Sequence, residues 1–421
     1  MYQIPRGTRD FTSTEMQKRL FVENKIRATF KKYGYNEVQT PVFEALELFT
    51  SKSGEGIINE IYSFQDKGGR NLALRPELTA PVIRLYIDRL QMESKPLKLF
   101  YFGNCYRYDR PQKGRYREFM QAGCELIGVD TPEAYSELIA MGYKILKNIG
   151  LKNIQLNIGN LNILSAMFKK INLSEDKQKY LIPLIDKSMF EDIFAALKDF
   201  KIKPNVASEF IDILTTNDLK KITEYIKEDK TIKEEINKLN EVLDFLKNSF
   251  KITNFNIKIS IVRGLDYYKG IVFEIEASTL GAEKQLCGGG AYDLIPSFGG
   301  SQTPTSGFAI GFDRAILALE IEEYKFPNEK LDIFIIPVNK DMINKSLEIA
   351  ETLRKNLKVD VDLMRRGIGK SLKYASTINT QKTIIVGPKE LEEKSVTVRD
   401  MDTGKQEKIL IIKLNEYLLN Y

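Results

Sequence analysis

Hydrophobic and polar positions divide the chain into stretches of different rhythm. Over residues 13–35 apolar residues recur at helical spacing up to Gly34, which predicts an amphipathic helix. Residues 37–43 are extended and carry Pro41. Residues 60–75 alternate on either side of Lys67-Gly-Gly69, the pattern and turn chemistry of a hairpin. Residues 79–88 read as a helix. Residues 98–107 and 118–127 are apolar, aromatic-rich strands flanking a charged loop, and they predict a second hairpin. A helix over 131–148 and a strand over 154–158 follow.

From about 161 to 250 the chain becomes helical and heavily charged, with almost no Gly. Ile236, Leu239, Val242, Leu243 and Leu246 form one apolar face at helical spacing, so this stretch reads as an all-α insertion. Strands return over 257–262, 270–277 and 284–288. A Gly-rich stretch from 287 to 311 comes next, and residues 306–320 begin extended and turn helical. After Pro327 an apolar strand (331–338), a helix (341–356), an alternating segment at Val359, Val361 and Leu363, a helix (369–379) and a buried strand (383–386) succeed one another. That β-α-β-α-β order implies a small α/β domain with parallel pairing, ending in a hairpin around Gly404 and a terminal helix. The expected domains are therefore 1–325, with its insertion at about 161–250, and 330–421.

Composition narrows the chemistry. The 421 residues include 63 Lys+Arg, 57 Asp+Glu, three Cys and no His. Without His there is no Ser-His-Asp triad, no HExxH zinc site and no imidazole base. Carboxylates, Lys, Arg, Tyr, hydroxyls and backbone amides remain. A net charge of +6 permits nucleic acid or phosphate partners without requiring them. Cys105, Cys124 and Cys287 have no CxxC spacing, which fits a reducing compartment. The first residues lack an apolar signal core, and the run 333–338 is far too short to span a bilayer. These features predict a cytoplasmic protein without membrane segments. No carboxylate cluster has metal-cage spacing. Gly367-Ile-Gly-Lys-Ser371 hints at a P-loop, but Met364 stands where the first Gly belongs.

Five segments hold the candidate chemistry. Residues 107–118 carry five basic and two acidic residues around Pro111 and Gly114, a hairpin that can aim guanidinium forks at phosphates. Arg263-Gly-Leu-Asp-Tyr-Tyr268 brings an Arg, a carboxylate and two phenols within six residues. Cys287-Gly-Gly-Gly-Ala-Tyr-Asp293 allows close backbone approach, with Tyr292 as a polar wall. Gly307-Phe-Ala-Ile-Gly-Phe-Asp-Arg314 runs from a strand into a helix. Leu74-Arg-Pro-Glu-Leu-Thr-Ala80 opens a helix with Pro in its first turn, and Glu77 and Thr79 fit either capping or an ammonium site. Taken singly, each segment also fits an ordinary structural role.

Together, in this order, they resemble the class II aminoacyl-tRNA synthetases, and within them the histidyl-tRNA synthetase family. The similarity begins at Pro5-Arg-Gly-Thr-Arg-Asp-Phe11 and runs to the C-terminal domain. Pro41, in the helix-then-strand segment 15–45, looks like motif 1, residues 107–121 like motif 2 and 307–314 like motif 3. Residues 263–268 and 287–293 look like the two histidine-specific signatures. The resemblance implies an α+β fold: an antiparallel six-stranded sheet with flanking helices, an all-α insertion and a C-terminal α/β anticodon-binding domain. It implies ATP as substrate with Mg2+, L-histidine, tRNA(His), and a homodimer formed through the motif 1 region.

Roles carry over by position. Arg107 is similar to the Arg that grips the α-phosphate, and Arg263 to the one on its opposite side. Phe119 and Arg314 look like the pair enclosing adenine. Glu77 and Thr79 match positions holding the substrate's α-amino group, while Gln121, Glu125, Tyr267, Tyr268 and Tyr292 match the amino acid pocket. Arg110 and Gln112 would face the tRNA acceptor end. Three departures stand out: Asp109 where Glu is usual, Ala291 where Arg is common, and Met120 where His is frequent. Two other readings share the fold. One is the catalytically inactive regulatory subunit of ATP phosphoribosyltransferase; the other is a same-subclass synthetase for another amino acid.

Overall fold

The two aromatic-rich segments around the charged loop form the longest strand pair. In the computed structural model, which describes residues 2–51, 58–110, 114–226, 230–262 and 268–419, Leu97–Tyr106 and Glu118–Ile127 pair antiparallel without a break. The chain divides into two compact units, Met1–Phe326 and Pro327–Tyr421.

The strands of the first unit are β1 (Asn36–Glu37), β2 (Phe43–Ala45), β3 (Ser63–Gln65), β4 (Asn71–Leu74), β5 (Leu97–Tyr106), β6 (Glu118–Ile127), β7 (Ile154–Asn160), β8 (Phe255–Ile257), β9 (Tyr268–Ala277), β10 (Gln285–Tyr292) and β11 (Thr305–Gly311). The main sheet has eight strands in the order β1-β5-β6-β11-β10-β9-β7-β8. Its six central strands are antiparallel throughout. The expected six become eight because β1 and β8, two and three residues long, add in parallel to the two edges. Elements that short carry no readable period.

Beyond Ile257 the expected strand 257–262 is not extended: Lys258 N donates to Ile158 O, and the chain then turns. Ile259 and Ile261 are buried within that turn, so their alternation mimics a strand. The hairpin β3–β4 joins β2 in a separate three-stranded sheet.

One face of the main sheet packs on the helices Ser13–Lys32 and Pro132–Ile149. Thr12 and Thr131 cap their N-termini, each side chain accepting a backbone N–H. Phe30 stacks on Phe100 with ring centroids 4.9 Å apart. Among the described residues, six helices between Leu161 and Asn248 extend this core, and the predicted face Ile236, Leu239, Val242, Leu243 and Leu246 is buried in it. The opposite face packs Leu99, Tyr101, Cys105 and Ile127 against Val82 and Ile83 of the helix Thr79–Leu85. That helix starts at Thr79, where the sequence predicts it, and the buried Glu77 carboxylate accepts the Thr79 and Ala80 N–H groups of its first turn. Pro81, not Pro76, lies in that first turn.

The second unit contains β12 (Leu331–Pro337), β13 (Val359–Val361), β14 (Thr380–Val386), β15 (Ser395–Asp400) and β16 (Gln406–Leu410). Strands β13, β12 and β14 are parallel, and β15 and β16 extend the sheet antiparallel. Ser371, at the failed P-loop, is buried with its hydroxyl donating to Asp362. No helix among the described residues is long and apolar enough to cross a membrane.

Candidate active site

Strand β5 ends at Tyr106, so Arg107 emerges at the mouth of the β5–β6 hairpin, its N–H donating to Arg117 O at 2.9 Å. Its Nε donates to Pro76 O at 2.9 Å, which fixes the guanidinium plane. Across the hairpin the Phe119 ring lies 5.5 Å from the Arg107 guanidinium carbon. Arg314 sits in the first turn of the helix Phe312–Ile321 that β11 feeds. Its Nε donates to Gly114 O at 3.1 Å and its Nη1 to Gln285 O at 3.2 Å. Arg107, Phe119, Gln121 and Arg314 line one open cavity of about 460 Å³, with Tyr116 and Asp313 beside them. Two guanidinium groups and an aromatic ring around a polar cleft suit a nucleotide phosphate and base.

Further along β6, on the same face as Gln121, lies Glu125, 1% exposed. Tyr101 donates its hydroxyl to Oε1 at 2.8 Å and Tyr292 to Oε2 at 2.6 Å. Burial pushes the Glu125 carboxyl up to about 8, against the opposing pull of the two phenol hydrogen bonds. The Tyr268 ring meets Tyr292 edge-on at 6.1 Å, and Thr79 Oγ1 lies 3.4 Å from the Tyr101 hydroxyl. Glycine makes the room: β11 pairs Gly307 opposite Glu125, and a Cβ there would meet Oε2 at 2.0 Å. Burial also raises the Glu77 pKa, against its two backbone hydrogen bonds and the nearby Arg107.

Arg107, Phe119, Gln121 and Arg314 thus share one cavity. Thr79, Glu125, Tyr268 and Tyr292 share one network, and Glu77 joins it through the Thr79 backbone. Arg110 is exposed on the hairpin loop, its N–H donating to Asp109 Oδ1 at 2.7 Å. Gln112, Arg263 and Tyr267 lie outside the described residues. At the departures, the Asp109 side chain accepts from Arg115, and Met120 N donates to Asp313 Oδ2 at 2.7 Å. Ala291 lines a second cavity of about 240 Å³ with Asn162, Glu235 and Gly270.

Sequence reasoning missed Tyr101 and Asp313. Tyr101 pairs across from Gly123 on the Glu125 face, and period-two alternation with Gly103 and Cys105 was the available signal. Asp313 reads as an ordinary acidic residue of a helix's first turn. It instead receives Arg9 at 2.8 Å and Arg19 at 2.6 Å.

The antiparallel sheet with its arginine-lined cavity and the small α/β unit match, over the whole chain, proteins of one aminoacyl-tRNA synthetase family. A family profile described as histidyl-tRNA synthetase matches residues 7–315, and an anticodon binding domain profile matches 332–421. The chain is 45% identical to a histidine–tRNA ligase of Methanocaldococcus jannaschii over 99% of both chains. It is 41% identical to that of Methanococcus aeolicus, over 99% of this chain and all of the other. The crystal structure of apo S. aureus histidyl-tRNA synthetase superposes with a TM-score of 0.78 at 31% identity, covering 99% of this chain and all of that one. The chain belongs to the histidyl-tRNA synthetase family.

Proposed function

We propose that the chain activates L-histidine with ATP, forming histidyl-adenylate and pyrophosphate, and transfers the histidyl group to the 3′ end of tRNA(His). The observation that carries this reading is Glu125, a carboxyl buried between two tyrosine hydroxyls on the strand that also lines the arginine cavity. Burial raises the pKa of this carboxyl to about 8, into the range where it exchanges a proton near neutral pH. A neutral imidazole and a protonated carboxyl can share that proton, so no net charge enters the buried site. A side chain without ring nitrogens leaves Glu125 without its partner, at about 1–3 kcal/mol.

The nucleophile is the substrate's own carboxylate. One of its oxygens attacks the α-phosphorus, the bond to the bridging oxygen breaks, and pyrophosphate leaves. No protein base is required, which suits a chain without His. The protein's work is positioning two anions and stabilising charge on the phosphate. Arg107 grips the α-phosphate from one side and Arg263 from the other. Phe119 and Arg314 enclose adenine. Glu77 and Thr79 hold the α-amino group; each Glu77 oxygen keeps a lone pair beyond its backbone bond. Gln121, Tyr267, Tyr268 and Tyr292 complete the amino acid pocket, and Arg110 and Gln112 meet the tRNA acceptor end. In the second step a ribose hydroxyl of the tRNA attacks the adenylate carbonyl, and AMP leaves.

Among the described residues no group of three or more Asp, Glu or Cys could hold a metal ion. In the cavity Asp313 is bound by two arginines and Asp109 by Arg115. These residues do not form a magnesium site, so Mg2+ would come bound to the phosphates of ATP. The unit from Pro327 reads the anticodon. The chain works in the cytoplasm as a homodimer joined near Pro41, where exposed Val42, Phe43 and Phe64 offer apolar surface. ATP–pyrophosphate exchange against all twenty amino acids tests the central reading. Exchange stimulated by histidine alone is expected; a preference for another amino acid, or none, overturns it.

A further inference from the structure

Residues 5–11 form neither helix nor strand, yet they pack on the nucleotide cavity from behind. Thr8 closes a turn onto Pro5 O, through its N–H at 3.1 Å and its hydroxyl at 2.8 Å. This turn aims the Gly7 carbonyl at the base of β6, where it accepts Arg117 N at 2.9 Å. The Arg117 carbonyl in turn receives the Arg107 N–H. The residue presenting Arg107 is therefore held from both sides, by the hairpin and by the N-terminal segment. Gly7 has φ +87°, and a Cβ there would meet Arg117 Cγ at 2.7 Å, so another residue would push the segment off the hairpin.

Two residues on, the Arg9 guanidinium carbon lies 3.4 Å from the centroid of the Tyr116 ring, and Nη2 pairs with Asp313 Oδ1 at 2.8 Å. Tyr116 and Asp313 both line the cavity. The other Asp313 oxygen accepts Met120 N, the amide between Phe119 and Gln121. Arg19 reaches the same carboxylate at 2.6 Å, and its guanidinium carbon lies 4.1 Å from the Phe11 ring centroid. One buried carboxylate thereby joins the N-terminal segment, the first helix, β6 and the helix start that carries Arg314.

We propose that Arg9 is a positioning residue for nucleotide binding. It acts through Tyr116 and Asp313 to hold the hairpin wall and the Arg314 helix start at their working separation. This rests on the reading that the cavity takes ATP. The planar guanidinium stacks and pairs at once, which a Lys ammonium cannot do.

The test measures Michaelis constants for ATP and for histidine in pyrophosphate exchange, using full-length Arg9→Ala, Arg9→Lys, Tyr116→Ala and the Arg9→Ala/Tyr116→Ala double variant. Arg9→Ala should raise the ATP constant about tenfold, the loss of a cation–π contact together with a partly buried ion pair, and leave the histidine constant within about twofold. Arg9→Lys should recover part, and the Arg9→Ala/Tyr116→Ala double variant should be no worse than the more damaged single variant. Equal changes in both constants, or none, overturn the proposal. If Arg9→Ala fails to fold by circular dichroism, Arg9→Lys and Tyr116→Ala decide by the same criterion. Calorimetric titration with ATP separates the two readings. No binding to wild type defeats the nucleotide cavity itself. Equal binding by wild type and Arg9→Ala, with loss in Arg314→Ala, defeats the role of Arg9 alone.

Discussion

Glu125 links stability to function in a way that pH exposes. Below about pH 4.5, its ordinary value, the carboxyl is protonated whether the chain is folded or not. Between about 4.5 and about 8 the unfolded chain releases this proton and the folded chain keeps it. Stability contributed by the protonated buried group therefore falls as pH rises through that window, and the loss is complete above about 8. At about 1.4 kcal/mol per pH unit the full loss is roughly 5 kcal/mol. Glu125→Gln removes the titration and keeps the shape, because the amide can accept from one tyrosine and donate to the other.

The assay is the thermal midpoint of both proteins without ligand from pH 5 to pH 9. Every other titrating group is common to the two, so the difference isolates position 125. The variant should gain on wild type steadily up to about pH 8 and hold its advantage beyond. The same variant should raise the Michaelis constant for histidine by about 10–100-fold, the loss of a hydrogen bond that shares a proton, and leave that for ATP nearly unchanged. Parallel melting curves across the range would refute the buried, proton-holding carboxyl. Equal effects on both substrates would remove it from the amino acid pocket.

Gly307→Ala sets a methyl 2.0 Å from Glu125 Oε2 and 2.4 Å from the Cys124 carbonyl. It should lower stability by about 1–3 kcal/mol in a melt and impair histidine-dependent exchange. Arg263→Ala should slow single-turnover adenylate formation about 10²–10³-fold with Arg263→Lys recovering part, and a rate within a fewfold of wild type would make Arg263 structural. A chain ended after Phe326 should still form the adenylate but charge tRNA poorly, since the first unit has its own apolar cores and holds the whole cavity. Full charging by that truncation would overturn the anticodon role of the second unit.

The sequence was most legible where one strong period ran for many residues. Strands β5 and β6 and the helix Pro132–Ile149 were readable within a residue or two, because alternation and capping agreed. It was least legible where tertiary contact overrides local pattern. Ile257, Ile259 and Ile261 alternate, but the last two are buried by a turn and not a strand. The helix start at Thr79 was readable, but Pro76 lies outside its first turn, where the Glu77 carboxylate accepts the Thr79 and Ala80 N–H groups. At the site, Tyr101 lies outside the recognisable segments and Asp313 inside one of them, and both went unnamed because their roles depend on partners more than twenty residues away. Tyr101 gains its meaning only from the register that sets Gly123 and Glu125 beside it, and Asp313 only from Arg9 and Arg19.

On the proposed roles, strand β6 acts as a ruler for the adenylate. Phe119, Gln121, Gly123 and Glu125 alternate onto one face, so the base-stacking ring and the imidazole acceptor are separated by the strand's own rise, about 20 Å over six residues. Glycine at 123 leaves the middle of that face open; a Cβ there would meet the Tyr101 ring at 2.6 Å. The two ends need opposite electrostatics. The phosphate end requires fixed positive charge, and arginine supplies it at any physiological pH. The imidazole end requires a group that can share one proton with the substrate, and a carboxyl held near 8 by burial supplies that. A histidine side chain in the pocket would offer a second imidazole with the same proton affinity as the substrate's, able to satisfy Glu125 in its place. A chain that recognises imidazole through buried carboxyl and phenol groups keeps that hydrogen bond for the ligand alone.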